Sequence, residues 1–180
     1  MSMVASLPLS KIPLRMVLMG VAGCGKSTVG ATLAARLGAT YLDGDDLHPA
    51  ANIEKMSSGV ALTDEDRWPW LTRVGQVLIK PEGPLIVGCS ALKRAYRDHI
   101  IATTGAPVTF IHLAGTADVI KARMNDRKGH FMPAELLASQ FAALEPPEMD
   151  ENAIKVDIDR PLASIVDAIV AQLGGVENDK

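Results

Sequence analysis

Three clusters of residues in this 180-residue chain have the types and spacing to do chemistry. The first is Gly20 to Ser27, GVAGCGKS, which fits the phosphate-binding pattern G-x-x-x-x-G-K-[ST]. Glycines in such a loop let consecutive backbone N–H groups curl around phosphate oxygens, and the helix that follows points its positive end at them. Lys26 would reach the terminal phosphates, and Ser27 would offer its hydroxyl to Mg²⁺. Gly20, Val21, Ala22, Gly23, Cys24, Gly25, Lys26, Ser27 and Thr28 are thus the candidate ATP- or GTP-binding residues, with Cys24 as a small residue filling the loop.

The second cluster is Asp43-Gly44-Asp45, followed by Asp46 and His48. Two carboxylates two apart on an extended segment point the same way. Asp43 would then hold Mg²⁺ through water while Asp45 accepts the proton of an incoming hydroxyl. The plainer reading of these acids is a solvated turn and helix cap, and His48 stays open between touching a substrate and satisfying the turn before Pro49. The third cluster is cationic. Arg123 and Arg127 lie four apart on one helix face, with Lys128, Gly129 and His130 after them and Pro133 opening a new helix. Phosphoryl transfer spreads negative charge that must be stabilised away from water, and a mobile lid about 123–145 with these arginines would serve. Their plainer reading is a solvated helical face. Arg67, Lys93 and Arg97 each follow an element facing the expected cleft and suit an acceptor with a carboxylate. Trp68 and Trp70, flanking Pro69, read as core or helix-start packing rather than a sugar platform.

The elements around these clusters alternate. Short apolar runs at 14–19, 40–43, 84–88, 107–113 and 154–158 read as buried strands, and helical spacing follows at 26–37, 49–56, 64–78, 93–101, 116–127, 133–144 and 162–173. Thr63 is the expected N-cap of the third of these helices, with Asp66 three residues on. Strand–helix alternation implies an α/β, three-layer αβα domain. Its parallel sheet of about five strands has helices on both faces and right-handed crossovers. Ligands in such a sheet gather at the carboxyl ends of the strands, where all three clusters fall. One domain is expected over 1–180, with its core at about 14–173 and loose termini at 1–12 and 174–180.

Bulk composition narrows the classes. Apolar residues at 48% and charged residues at 22% are an ordinary globular balance, and a net charge of −3 gives no basic footprint for nucleic acid. No apolar run approaches a membrane span. Two cysteines outside any CxxC or Cys/His array form no disulfide framework or zinc site, so a reducing cytoplasm is the expected setting. Val21-Ala22-Gly23-Cys24 behind Arg15 also has the look of a lipoprotein cleavage site. Its apolar stretch is barely long enough, however, and a helical pattern begins directly after it. A GTPase would carry Asn-Lys-x-Asp, which does not occur here, and the third strand ends in Gly-Cys-Ser without the acid an ATPase motor needs.

The stretches VLMGVAGCGKS, LDGDDLHPAANIEKMSSGVALTDEDRWPWL, CSALKRAYRD and RKGHFMP…LLASQFAALEPP, in this order, resemble the gluconokinases of the thermoresistant type among the adenylate-kinase-like P-loop kinases. The resemblance runs from about residue 14 to 173. It implies ATP- and Mg²⁺-dependent phosphorylation of D-gluconate on its 6-hydroxyl, and a homodimer. It also assigns Asp45 as base and His48, Arg67, Lys93, Arg97 and His130 to the gluconate. Lys26 and Arg127 fall on catalytic positions, Arg123 and Arg127 on lid positions, and Arg160 and Pro161 on the adenine side. Ala22 stands where relatives often have Ser, and the glycine-triplet substrate loop of shikimate kinases is missing. A kinase of the same fold for another hydroxy acid or a nucleotide is the alternative, and a non-catalytic ATP-binding regulator is the reading from another class.

Overall fold

The computed structural model describes residues 7–125 and 134–175. Five strands, β1 (Arg15–Met19), β2 (Thr40–Asp43), β3 (Leu85–Gly88), β4 (Thr109–Ala114) and β5 (Ala153–Asp157), form one parallel sheet in the order β2-β3-β1-β4-β5. The helices between them are α1 (Lys26–Leu37), α2 (Ala50–Ser57), α3 (Asp64–Val77), α4 (Arg94–Thr104), α5 (Ala117–Asn125), α6 (Ala134–Ala143) and α7 (Leu162–Gly175). The expected element order is therefore the observed one.

Why β1 is central follows from its residues. Met16, Val17, Leu18 and Met19 are all fully buried, and their alternation serves both faces of the sheet at once. Met16 and Leu18 pack with Val29 and Leu33 of α1 and Ile165 and Ile169 of α7. Val17 and Met19 pack with Leu71 and Val74 of α3 and Ile100 of α4. Arg15, at the strand's start, donates from Nε to Leu78 O (2.7 Å) and from Nη2 to Ile79 O (3.0 Å), closing the C-terminal end of α3.

The start of α3 is the expected capping box: Asp66 N–H donates to Thr63 Oγ1 (3.2 Å) and Thr63 N–H to Asp66 Oδ2 (2.9 Å). Lys55 also donates to Asp66 Oδ2 at 2.7 Å, and with these partners the Asp66 carboxyl is held down at about 2. α2 is thereby tied to the first turn of α3. Within 7–12, part of the segment expected to be loose, Leu7 and Ile12 touch the domain while residues 8–11 are exposed. Leu7 and Ile12 lie against the α1/α7 core, Leu9–Lys11 forms a 3-10 turn, and Lys11 Nζ donates to Gly174 O (3.4 Å).

Candidate active site

The phosphate loop connects β1 to α1 directly. Gly20, Gly23 and Gly25 have φ of 150°, 81° and 97°. Gly25 is the N-cap of α1 in the left-handed region, where any other residue is strained, so the loop's amides turn inward at the helix's positive end. Cys24 is fully buried, in keeping with a filler role. Lys26 Nζ donates to Gly20 O (2.9 Å) and Val21 O (3.1 Å), which keeps its charge at the loop. Gly20 N–H donates to Ser90 O (3.2 Å), stitching this loop to the one after β3.

The acidic cluster reaches the loop by a close backbone approach. A Cβ on Gly44 would collide with the carbonyl oxygen of Gly88, so only glycine lets the end of β2 pass so near the end of β3. The geometry of the two acids differs from the sequence expectation. β2 stops at Asp43, and Gly44–Leu47 is a 3-10 turn capped by Asp43 Oδ1, which accepts the Asp45 N–H at 3.0 Å. Asp43 therefore does make the turn and cap of the plainer reading, while Asp45 projects into the cleft. Burial by the cleft walls and the neighbouring Asp43 charge raise the Asp45 carboxyl above the ordinary aspartate value, and Lys26 opposes them.

One cleft of about 440 Å³ joins these groups, lined by Lys26, Ser27, Asp45, His48, Arg67, Ser90 and Gln140 among others. His48 is only 7% exposed and lies flat on Trp70, centroids 4.1 Å apart. Asn52 Nδ2 donates to Asp66 O (2.9 Å) and lies 3.2 Å from His48 Nδ1. An amide nitrogen has only hydrogens to offer, so Nδ1 accepts and the ring proton sits on Nε2. Burial and the Arg67 charge push the ring down to about 4, so it is a neutral donor near pH 7. Trp70 is core, as expected, and its indole N–H donates to Gly44 O at 2.8 Å.

Of the three cations expected at an acceptor carboxylate, Arg67 alone lines the cleft. Its Nη1 donates to Leu62 O (2.7 Å) and to Tyr96 Oη (3.4 Å). Lys93 does not line it; its ammonium bonds both Asp64 oxygens, at 3.2 and 3.3 Å, above the Tyr96 ring. Tyr96 Oη also donates to Asp64. Arg97 corrects the sequence expectation outright. It is 0% exposed and donates to Glu151 Oε1 from Nε (2.6 Å) and Oε2 from Nη2 (3.1 Å), and from Nη1 to Ala91 O (2.9 Å) and Leu92 O (3.3 Å). A guanidinium so enclosed holds the loop after β3 and cannot meet a ligand.

Arg123 donates to Ile158 O and, at 3.0 Å, to Arg160 O, and its Nη1 lies beside Gly25. Arg123 thus ties the chain before α7 to the phosphate-loop side, and Arg123, Arg160 and Pro161 all lie outside the cleft lining. Arg127, Lys128 and His130, with the middle of the expected lid, lie outside the described residues. Asn52, Ser90 and Gln140 were missed from the sequence. Asn52 carries a signal, four residues after His48, whereas Gln140 meets the loop from 118 residues away.

These residues fit a Mg²⁺ that arrives with a nucleotide. No group of three or more metal-ligating side chains occurs among the described residues, so these residues offer no cage of their own. Ser27 in the loop and the Asp43–Asp45 pair beside it match an ion held largely by phosphate oxygens and water. No helix of the described residues is long and apolar enough to cross a membrane.

Comparison with known proteins agrees with this geometry. A family model described as an AAA domain matches residues 16–147. The thermosensitive gluconokinase of Escherichia coli K12 is 48% identical, covering 84% of this chain and 82% of that protein. The thermoresistant gluconokinase of the same organism is 46% identical, covering 83% and 87%. The crystal structure of a gluconokinase from Sinorhizobium meliloti 1021 superposes with a TM-score of 0.86 at 44% identity, covering 92% of this chain and 94% of that one. The three-layer P-loop kinase fold, the cleft and these likenesses converge: the chain belongs to the gluconokinase family.

Proposed function

We propose that the protein transfers the γ-phosphoryl group of ATP to the 6-hydroxyl of D-gluconate, giving 6-phospho-D-gluconate and ADP. The observation that carries this reading is that one cleft joins Lys26 and Ser27 to Asp45, His48 and Arg67. Bound Mg·ATP supplies the transferable group and a counter-charge to its phosphates. The residues of Gly20–Thr28 would hold those phosphates, Ser27 and, through water, Asp43 would hold the metal, and Arg123, Arg160 and Pro161 would border the nucleotide. Lys26 stabilises charge on the transferred oxygens. Asp45 accepts the proton of the attacking hydroxyl, a task favoured by a carboxyl raised toward neutral pH.

Arg67 pairs with the carboxylate of the acid, and neutral His48 donates from Nε2 to a hydroxyl. Lys93, bonded to Asp64, and Arg97, buried against Glu151, hold the surrounding structure rather than touch the substrate. A homodimer and a cytoplasmic setting, both implied by the family, complete the reading; light scattering on the eluting protein tests the first. The decisive experiment is a coupled ADP-release assay over D-gluconate, shikimate, glycerate and AMP. Gluconate should dominate kcat/KM. Equal or better turnover with any of the others overturns the assignment, and nucleotide binding without acceptor-dependent ADP release overturns catalysis itself.

A further inference from the structure

Helix α6 turns one face to the cleft: Leu136, Ser139, Gln140 and Ala143, the i, i+3, i+4, i+7 stripe. Ser139 Oγ donates back to Leu136 O at 2.8 Å, so its hydroxyl proton is engaged within the helix. Gln140 is different. Its Oε1 accepts the backbone N–H of Ala22 in the phosphate loop at 2.6 Å. Because that partner is an N–H, the oxygen must face the loop, which fixes which way round the carboxamide sits and leaves Nε2 with two hydrogens on the other side. Gln140 is part-buried, lines the cleft, and has no partner on Nε2 among the described residues.

We propose that Gln140 is a specificity-determining residue that donates from Nε2 to a hydroxyl oxygen of the acceptor. This rests on the reading above, in which the acceptor is a polyhydroxy acid. Such a molecule needs several neutral donors, and the cleft supplies few: Arg67 Nη1 is already bonded to Leu62 O and Tyr96 Oη, and Asp45, when ionised, only accepts. His48 Nε2–H, from the junction of the 3-10 turn and α2, provides one; Gln140, from α6, provides another. The phosphates have the loop amides and Lys26, whereas a neutral carboxamide suits a neutral hydroxyl. Its bond to Ala22 sets this donor at a fixed height above the nucleotide loop, so recognition of the acceptor and its alignment with the phosphoryl group come from one side chain.

The test is steady-state kinetics of Gln140→Met, a neutral near-isostere, and Gln140→Glu, which keeps an oxygen for Ala22 N–H but has no donor when ionised. ATP and gluconate are both varied, and a set of monodeoxy-gluconates is run on each protein. Losing one hydrogen bond to a substrate hydroxyl should raise the gluconate KM about tenfold or more in both variants, with the ATP KM of the Met variant within about threefold of wild type. The Met variant should also lose the wild-type discrimination against one particular deoxy acid, which a merely structural role would not change. A gluconate KM within about twofold of wild type in the Met variant overturns the proposal, whatever the ATP KM does. So does a raised KM with discrimination against every deoxy acid intact. Wild-type turnover of gluconate is the control that separates this from the functional assignment. If wild type prefers another acid, the same KM split is read on that acid.

Discussion

Arg97 gives the sharpest test, because sequence reasoning placed it on the substrate and the structure places it in the core. Replacing it with Met removes a guanidinium that makes two bonds to Glu151 and two to the carbonyls of Ala91 and Leu92. The Glu151 side chain is itself only 7% exposed, so the variant leaves a buried carboxylate with the Glu148 N–H, 2.8 Å away, as its hydrogen-bond partner and the more distant Arg94 charge. Breaking one half of a buried pair costs about 3–5 kcal/mol. With a typical unfolding entropy of roughly 2.1 cal/mol/K per residue, that cost lowers the melting midpoint of a chain this long by about 8–13 °C. The double variant Arg97→Met/Glu151→Met should recover much of the loss, since no charge is then stranded. Differential scanning calorimetry reads the midpoints, and gluconate kinetics run in parallel. Ala91 sits at φ 43° beneath the Arg97 bond, so some rise in KM through the Ser90 loop is expected. A midpoint within about 2 °C of wild type together with a hundredfold rise in gluconate KM would refute the buried-pair account and make Arg97 a ligand.

Four further outcomes follow from the site. Lys26→Ala should lower kcat by roughly 10² to 10³, the scale of one lost preorganised contact, and near-normal turnover in single-turnover assays would remove its role. Asp45→Asn should lose turnover far more than ATP affinity. In the wild type, because the Asp45 carboxyl is raised, the acid limb of kcat/KM should lie above the pKa of a free aspartate, and a limb at or below it would refute the base assignment. His48 should titrate near pH 4 rather than 6.5 by NMR. Its folded value is depressed, so the unfolded chain takes the proton first; this contribution to stability is full above about 6.5 and declines as pH falls toward 4. Gly44→Ala should destabilise by about 1–3 kcal/mol in urea melts and cut turnover, because the added methyl meets backbone that cannot swing aside.

The phosphate loop, the alternating elements and the Thr63–Asp66 cap were legible in the sequence because each is local. A loop with Gly-Lys-Ser needs only its strand and helix, and a capping box needs four residues. The acids and His48 were also visible as a cluster, since they lie on one short segment. Their arrangement was less so: the Gly44–Leu47 turn exists because Gly44 passes against Gly88, a neighbour supplied by another strand. What the fold alone decided is the partnership of charges. Arg97 looked like Arg67 in the sequence, each a cation beside an expected cleft, until Glu151 and the Ala91 carbonyl enclosed one and left the other facing ligand space. Gln140 lies in one of the stretches that carry the family resemblance, but its role was not legible there, because its meaning comes from Ala22, distant along the chain and brought near only in the fold. Composition and spacing determine which groups are present and which elements hold them; the energetics of burial determine which of those groups remain free to react.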